Sequence, residues 1–228
     1  MHLTSFENAK RFKQTYPTSP ADNIAEVGSQ IVEGQSSLRS LFSGISSYTG
    51  FDFSNGKGVD IILKSPYKLP SPDNSFTRVI SSSCFEHAEF FWESFLEMAR
   101  ICTDNGLIYI QAPSNGKFHR YPVDCWRFYP DSGIALQNWA RQKQIPITLL
   151  ESFTTNQKAD CWNDFIAIFF KGDIDRAPIN RITDTFKDFK NGIVHGAQDI
   201  IQYSEETEDM VRRNFAANVS SGHIQIQW

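Results

Sequence analysis

Residues 23–34 (NIAEVGSQIVEG) constrain the fold most, because a short apolar run leads directly into a glycine turn. Ile24 and Val27 are typical of a buried strand, and Gly28 removes the side chain where the backbone bends or approaches a ligand. Many α/β proteins contain a strand that ends in such a turn. The function therefore depends on which residues follow at which distances.

Composition and length exclude several classes of protein. A chain of 228 residues accommodates one α/β domain with additions rather than two full domains. Its net charge of -4, with mixed signs, gives no basic surface for nucleic acid, so we expect no nucleic-acid partner. No apolar run approaches the roughly 20 residues that cross a bilayer, and the first residues lack the order of a signal peptide. We therefore expect no membrane span and a cytoplasmic location.

The four cysteines indicate neither a disulfide framework nor a zinc site. They are scattered along the chain and form no C-x-x-C pair. We expect reduced, mostly buried thiols and predict no metal site. The cysteines are Cys84, Cys102, Cys125 and Cys161.

Alternating strand and helix patterns predict the fold class. The patterns predict α/β architecture: a Rossmann-like, mostly parallel seven-stranded sheet with helices on both faces and an antiparallel last strand. Helices are predicted at 4–16, 35–42, 89–102 and 132–143, and strands at 24–27, 48–51, 59–63, 78–83, 107–112, 147–150 and 165–170.

Three regions follow from this pattern. Residues 1–22 form an N-terminal helix and lead-in, 23–172 form the α/β domain, and 173–228 form a mainly helical C-terminal extension. Within the extension, helices are predicted around 180–190 and 196–214. The apolar end, 224–228, is expected to dock on the core or on a second copy of the chain, which would give a homodimer through the extension.

Polar residues at the predicted strand ends indicate where a ligand binds. In open α/β sheets ligands bind outside the carboxyl ends of the strands. Asp52 ends the second strand, 24 residues after Gly28. A carboxylate there can accept hydrogen bonds from a ribose diol, which dinucleotides and S-adenosylmethionine both present. The alternative is an aspartate that caps the following loop.

The glycine turn distinguishes the two cofactors. A nicotinamide fingerprint requires G-x-G-x-x-G, but Gln30 and Glu33 occupy the second and third glycine positions. An acid beside a diphosphate would repel it. S-adenosylmethionine carries a sulfonium and an ammonium instead of phosphates, so a carboxylate such as Glu26 favours it.

These residues resemble a known family, the class I S-adenosylmethionine-dependent methyltransferases of the methyltransferase-11 type. The similarity covers about residues 22–140. It also extends to a subgroup associated with bacterial surface-polysaccharide biosynthesis, through residues 114–116 (SNG) and 119–131 (HRYPVDCWRFYPD). The motifs that carry the family resemblance are 25–29 (AEVGS), 49–52 (TGFD), 69–76 (LPSPDNSF), 79–87 (VISSSCFEH), 97–101 (EMARI) and 106–113 (GLIYIQAP).

The resemblance implies a cofactor site. It implies that Glu26, Gly28 and Ser29 contact the methionine part, while Asp52 binds the ribose hydroxyls. Gln30, next to Ser29, is also expected to bind the cofactor. Phe53 would flank the adenine, and the floor of the site would consist of Ser82, Ser83 and Cys84. The chain departs from the family pattern at Gln30, which replaces a glycine, and at Lys64-Ser65, where an acid often meets the adenine amino group.

The chemistry of methyl transfer suggests catalytic candidates. The sulfonium already activates the methyl group, so transfer requires positioning and, for a hydroxyl acceptor, a base. The candidates are His119, His87 and Asp124. Neutral histidine suits proton removal near pH 7, although a loop histidine that simply faces solvent and a structural role for His87 are the alternatives.

Basic and aromatic residues near His119 suggest an acceptor site. Arg120 and Arg127 are candidates to bind an anionic acceptor, because guanidinium groups bind phosphate and carboxylate bidentately. A structural salt bridge from Arg127 to Asp124 or Asp131 is an equal alternative. Tyr121 and Trp126 are candidates to stack on a sugar or to belong to the core.

The sequence therefore favours an S-adenosylmethionine-dependent methyltransferase that modifies a small or glycan-related acceptor at oxygen, in a capsule or other surface-polysaccharide pathway. A second hypothesis is a non-catalytic, methyltransferase-like scaffold. A nicotinamide oxidoreductase is a third, and Glu33 argues against it.

Overall fold

Strands from most of the chain form one eight-stranded sheet in the computed structural model, which describes residues 3–32, 34, 36–156 and 161–224. The strands are β1 (Asn23–Val27), β2 (Ser47–Asp52), β3 (Ile61–Ile62), β4 (Phe76–Ser82), β5 (Cys102–Pro113), β6 (Ile147–Thr155), β7 (Asp164–Lys171) and β8 (Phe189–Val194). In space their order is β3-β2-β1-β4-β5-β7-β6-β8.

The pairing of the strands changes once along the sheet, from parallel to antiparallel. Parallel pairing joins β1 through β5. Antiparallel pairing then joins β5 to β7, β7 to β6, and β6 to β8. The predicted α/β, Rossmann-like architecture is confirmed, and the sheet gains an eighth strand. The carboxyl ends of the five parallel strands consequently lie along one edge.

Helices cover both faces of the sheet and divide the core in two. Phe95, Met98 and Leu136 belong to the core under one face, while Phe12 and Leu38 belong to the core under the other. Because β7 is buried along its whole length, its sequence is nearly all apolar. The helices are α1 (Leu3–Thr15), α2 (Phe91–Ile101), α3 (Asp131–Gln142), α4 (Ile182–Thr185) and α5 (Glu208–Ser220).

Two predicted elements between β1 and β4 are shorter than expected. The helix predicted at 35–42 is one 3-10 turn, Leu38–Leu41, and Gln35 lies outside the described residues. The strand predicted at 59–63 is reduced to Ile61–Ile62. The Asp60 carboxylate accepts hydrogen bonds from the Gly50 N–H and from Arg39, so a side chain occupies this position on the edge of β2 before β3 begins.

The region after residue 172 differs most from the prediction. Its predicted helix at 180–190 is only the four-residue α4, and β8 follows it. The predicted helix at 196–214 lies later, at Glu208–Ser220, after a segment that pairs Ile201 with Gly192. Of the apolar end at 224–228, residues 225–228 lie outside the described residues. The predicted extension therefore contributes a strand to the sheet, so strands from both sides of residue 172 belong to one sheet.

A buried carboxylate joins this region to the rest of the protein. Glu151 on β6 is fully buried and accepts hydrogen bonds from the Tyr16 hydroxyl and from the N–H groups of Ile182 and Thr183. The Thr183 hydroxyl also donates to it. Burial raises the pKa of Tyr16, which keeps its hydroxyl protonated as a donor. Glu151 therefore fixes α1 and α4 to the same strand.

The cysteines are all free, as expected, but they are less buried than predicted. Cys102 is buried, Cys84 and Cys161 are half-buried, and Cys125 is exposed. In the described ranges, no helix is long and apolar enough to cross a membrane.

Candidate active site

A cavity of about 830 Å³ opens at the carboxyl ends of β1, β2 and β4. All nine residues predicted to bind the cofactor line it, together with four of the residues predicted for catalysis or the acceptor. The nine are Glu26, Gly28, Ser29, Gln30, Asp52, Phe53, Ser82, Ser83 and Cys84, and the four are His87, His119, Arg120 and Tyr121.

The turn after β1 requires glycine at position 28 for two reasons. Gly28 has a φ of +82°, which favours glycine. A Cβ atom there would lie 2.5 Å from Cβ of Cys84. The N–H groups of Gly28 and Ser29 both donate to the Phe51 carbonyl, so the turn is fixed against the end of β2. The backbone therefore forms a close wall of the cavity.

Asp52 is buried at the end of β2 and keeps capacity to accept further hydrogen bonds. Its Oδ2 accepts from the Gln30 N–H and its Oδ1 from the Ser54 N–H, both at 3.0 Å. Each carboxylate oxygen thus retains acceptor capacity. Phe53, the next residue, is 47% exposed beside it. A carboxylate and an open aromatic ring therefore adjoin at this wall.

Glu26 is a buried carboxyl group beside the glycine turn. It accepts a hydrogen bond of 2.6 Å from the Tyr48 hydroxyl. Burial raises the pKa of Glu26 to about 7, although the Tyr48 hydrogen bond and the nearby Arg39 act in the opposite direction. The group can therefore change charge near neutral pH.

The floor of the cavity follows β4. Ser82 donates to Oε1 of Gln111 at 3.3 Å, and Ser83 has a φ of +53°. Burial raises the pKa of the Cys84 thiol to about 12, so it stays protonated at neutral pH. Cys84 therefore serves as a wall against Gly28 rather than as a nucleophile.

The two predicted histidines meet at the other end of the cavity. The ring centroids of His87 and His119 are 4.9 Å apart, and Tyr121 lies 5.9 Å from His87. Burial lowers the pKa of His87. Trp162 completes this wall, with its ring 4.9 Å from that of His119. Arg120 lines the cavity and is exposed.

Three predicted site residues lie outside the cavity lining. Arg127 bonds to both oxygens of Asp124, at 2.6 and 2.9 Å, as in the salt-bridge alternative. These hydrogen bonds lower the pKa of Asp124 to about 2, which makes it a poor base. Asp124 also accepts from the His119 N–H at 2.7 Å, so it positions the loop. Trp126 donates to the carbonyls of Ala88 and Glu89.

Two important lining residues were given no role by the sequence-based prediction. Glu86 lines the cavity with a side chain that is 1% exposed, and burial raises its pKa to about 8. Trp162 reaches the site only because β7 returns antiparallel to β5. Its ring packs on Gly116, where a Cβ atom would approach to 2.1 Å. The adjacent Glu-His pair was a signal for Glu86, but the sequence contained none for Trp162.

Comparisons with known proteins agree with this geometry. Residues 33–110 match the family model described as a methyltransferase domain. The chain matches no curated protein. Several solved structures share its fold at low sequence identity.

A 1,6-didemethyltoxoflavin-N1-methyltransferase from Burkholderia thailandensis, with 1,6-didemethyltoxoflavin and S-adenosylhomocysteine bound, matches with a TM-score of 0.57 and 12% identity. The match covers 74% of this chain and 79% of that one. A chain of the complex between the Haloferax volcanii Trm112 methyltransferase activator and a methyltransferase matches with a TM-score of 0.55 and 15% identity. This match covers 75% of the present chain and 91% of that one. The [4+2]-cyclase SpnF matches with a TM-score of 0.53 and 13% identity, over 73% of the present chain and 81% of that one.

The fold is therefore the Rossmann-like fold of S-adenosylmethionine-dependent methyltransferases. At these identities the similarity shows the fold alone, and the same fold occurs in a protein named as a cyclase. The fold therefore does not determine the activity, which depends on the residues of the site.

Proposed function

We propose that the protein is an S-adenosylmethionine-dependent methyltransferase, as its family match and its fold support. The observation that carries the proposal is Asp52, a buried carboxylate with remaining acceptor capacity beside the Gly28 turn. Phe53 stands next to it with an open ring face. This combination suits a ribose diol that is followed by an adenine.

The residues around the turn fit S-adenosylmethionine better than a dinucleotide. The Ser29 hydroxyl is buried and has no hydrogen-bond partner in the described ranges, which leaves it available to a ligand. Glu26 offers a carboxyl group for an ammonium. No lysine or arginine from the described residues lines the cavity along the turn or the end of β2, so a diphosphate would lack a cation there. Glu33, which also argued against a diphosphate, lies outside the described residues.

The departures from the family pattern do not close the site. The Gln30 side-chain amide donates to the Asn55 carbonyl at 3.4 Å. Lys64 is exposed, whereas Leu63, Pro66 and Tyr67 line the cavity. Recognition of adenine through Phe53 and these neighbours is consistent with the absence of an acid at position 64.

The histidine end of the cavity is the acceptor site in this proposal. S-adenosylmethionine, when bound, would supply a methyl group that its sulfonium activates for transfer. His119 is the proposed base for an acceptor hydroxyl, because it lines the cavity and its backbone N–H is held by Asp124. Arg120 and Tyr121 line the same end of the cavity and are the proposed contacts of an anionic or sugar-like acceptor. We therefore propose a small or glycan-related acceptor that is methylated at oxygen, in a surface-polysaccharide pathway.

Isothermal titration with S-adenosylmethionine tests the cofactor assignment. Asp52→Asn keeps the shape of the side chain but replaces one acceptor oxygen by a donor, so it should weaken binding at least about tenfold. Asp199→Asn is the matched control, because Asp199 is exposed and does not line the cavity. Equal affinity of Asp52→Asn and the parent would contradict the proposal, as would the absence of binding by the parent.

An assay of methyl transfer distinguishes the proposed enzyme from the alternative of a non-catalytic scaffold. The parent should transfer radiolabelled methyl groups to acceptors that carry a sugar hydroxyl beside a phosphate or carboxylate. Cofactor binding without transfer across such a panel would support the non-catalytic scaffold instead.

A further inference from the structure

We propose that Glu86, His87 and His119 form a binding site for one divalent transition-metal ion at the histidine end of the cavity. One imidazole nitrogen from each histidine and one oxygen of Glu86 all lie within 4.8 Å of one another. All three residues line the same cavity.

The separations of these atoms exceed those in a formed metal site by at most about 1.4 Å. Bonds of about 2.0–2.1 Å to a tetrahedral ion place its ligand atoms roughly 3.4 Å apart. Nε2 of His87 lies 3.7 Å from Oε1 of Glu86.

The carboxylate of Glu86 independently indicates a ligand. Its side chain is 1% exposed, and Oε2 has no hydrogen-bond partner in the part of the chain that the structure describes. A buried carboxylate oxygen without a partner is costly, and buried charges are normally paired or coordinate a metal. A cation bound by this carboxylate and the two imidazoles would compensate the buried charge of Glu86.

Neighbouring groups orient both imidazoles as they do in metal sites. Nδ1 of His87 lies 2.5 Å from the Val123 carbonyl, which can only accept, so this nitrogen carries the proton. Nε2 then holds the lone pair, and it lies 3.7 Å from Oε1 of Glu86. Nδ1 of His119 lies 3.3 Å from Oδ2 of Asp124, which Arg127 holds in place. A carbonyl or carboxylate behind each histidine is the usual second layer of such sites.

The donor set selects the class of ion. Two imidazole nitrogens and one carboxylate oxygen suit Zn²⁺, Fe²⁺, Co²⁺ or Mn²⁺ rather than Ca²⁺ or Mg²⁺. Three protein ligands leave a position open towards the cavity. If the proposed methyl transfer to oxygen holds, an acceptor hydroxyl bound there would have a lowered pKa and would release its proton to water. His119 would then act as a ligand rather than as the base.

Titration of untagged, chelator-treated protein with Co²⁺, without cofactor, tests metal binding separately from methyl transfer. We expect d–d absorption bands that saturate at one ion per chain, with no thiolate charge-transfer band because no cysteine belongs to the set. His87→Ala and His119→Ala should each weaken binding at least about a hundredfold, and Asp124→Asn about 10–100-fold. His195→Ala is the matched control, because His195 is exposed and lies beyond β8.

Glu86→Gln provides a test that preserves shape, and it should lose Co²⁺ binding while it still binds S-adenosylmethionine. Retained cofactor binding shows that the variant is folded. The proposal is overturned if the parent shows no saturable d–d bands, or if His87→Ala and His119→Ala bind Co²⁺ as tightly as His195→Ala does. Neither result depends on whether the protein transfers methyl groups.

Discussion

At the scale of single residues, Glu26 makes the cofactor end of the cavity sensitive to pH. Burial is the largest influence on the pKa of Glu26. The charged or titratable groups that also act on this pKa are those of Tyr48, Arg39, Asp52 and Asp60. The folded pKa of about 7 lies above the ordinary value of 4.5, so the folded protein binds the proton more tightly than the unfolded chain. The contribution of Glu26 to stability is therefore full below about pH 4.5 and is lost as pH rises through about 7.

The proposed contact between Glu26 and the cofactor ammonium has the opposite dependence on pH. The ammonium needs the ionised carboxylate, so affinity for S-adenosylmethionine should fall by up to about tenfold per pH unit below pH 7. Titration calorimetry from pH 5.5 to 8.5 measures this slope. Glu26→Gln cannot ionise and should bind with a flatter pH profile. The same slope in parent and variant would show that Glu26 does not contact the ammonium.

The residues that sequence could predict are those fixed by the backbone. Gly28 and Asp52 follow from the end of a strand and from the spacing between two strands, so their positions were correct. The roles of Asp124 and Arg127 could not be predicted in this way. Each had several possible hydrogen-bond partners, and the sequence does not show which partner is used. Their pairing depends on a loop whose course only the fold determines.

At the scale of elements, the periodicity of apolar residues predicted the buried strands and the helices α2 and α3. It did so for the helices because one face of each packs on the sheet. It failed where a polar side chain occupies the edge of a strand, as that of Asp60 does on β2 before β3 begins. It also failed for β8, which alternates weakly and carries a glycine at position 192. β8 forms because the outer edge of β6 needs a partner.

Substitution of Glu151 tests how the elements outside the parallel strands are held together. Glu151→Ala would leave the Tyr16 hydroxyl, both Thr183 donors and the Ile182 N–H without an acceptor inside the protein. We expect a loss of about 3 kcal/mol or more in the free energy of unfolding, measured by urea denaturation. Glu205→Ala, at an exposed position, should change it by less than about 0.5 kcal/mol. A similarly small effect of Glu151→Ala would contradict this role.

At the scale of the whole molecule, β8 and α5 differ in how they are attached. β8 pairs with β6 and buries Phe189 to 1% exposure. None of the described side chains of α5 is buried. The region predicted as one helical extension therefore contains a structural strand and a helix that the core does not require.

Truncation distinguishes these two parts. A chain that ends at residue 206 should keep its S-adenosylmethionine affinity and lose less than about 1 kcal/mol of unfolding free energy. A chain that ends at residue 186 loses β8, and the burial of Phe189 alone stabilises by about 1.5–3 kcal/mol. Thermal unfolding and titration of both chains measure the difference. Equal destabilisation by the two truncations would show that α5 packs on the fold.

The packing of Trp162 on Gly116 has a consequence for redesign of the protein. The indole needs a residue without a side chain beneath it, so the segment after β5 and the segment before β7 are compatible only as a pair. A chimaera that imports one of them from a relative with other selectivity would place a Cβ atom into a ring or leave a gap beside His119. Exchange of both segments together retains the contact and leaves the cofactor half of the cavity unaltered, so the two halves can be engineered separately.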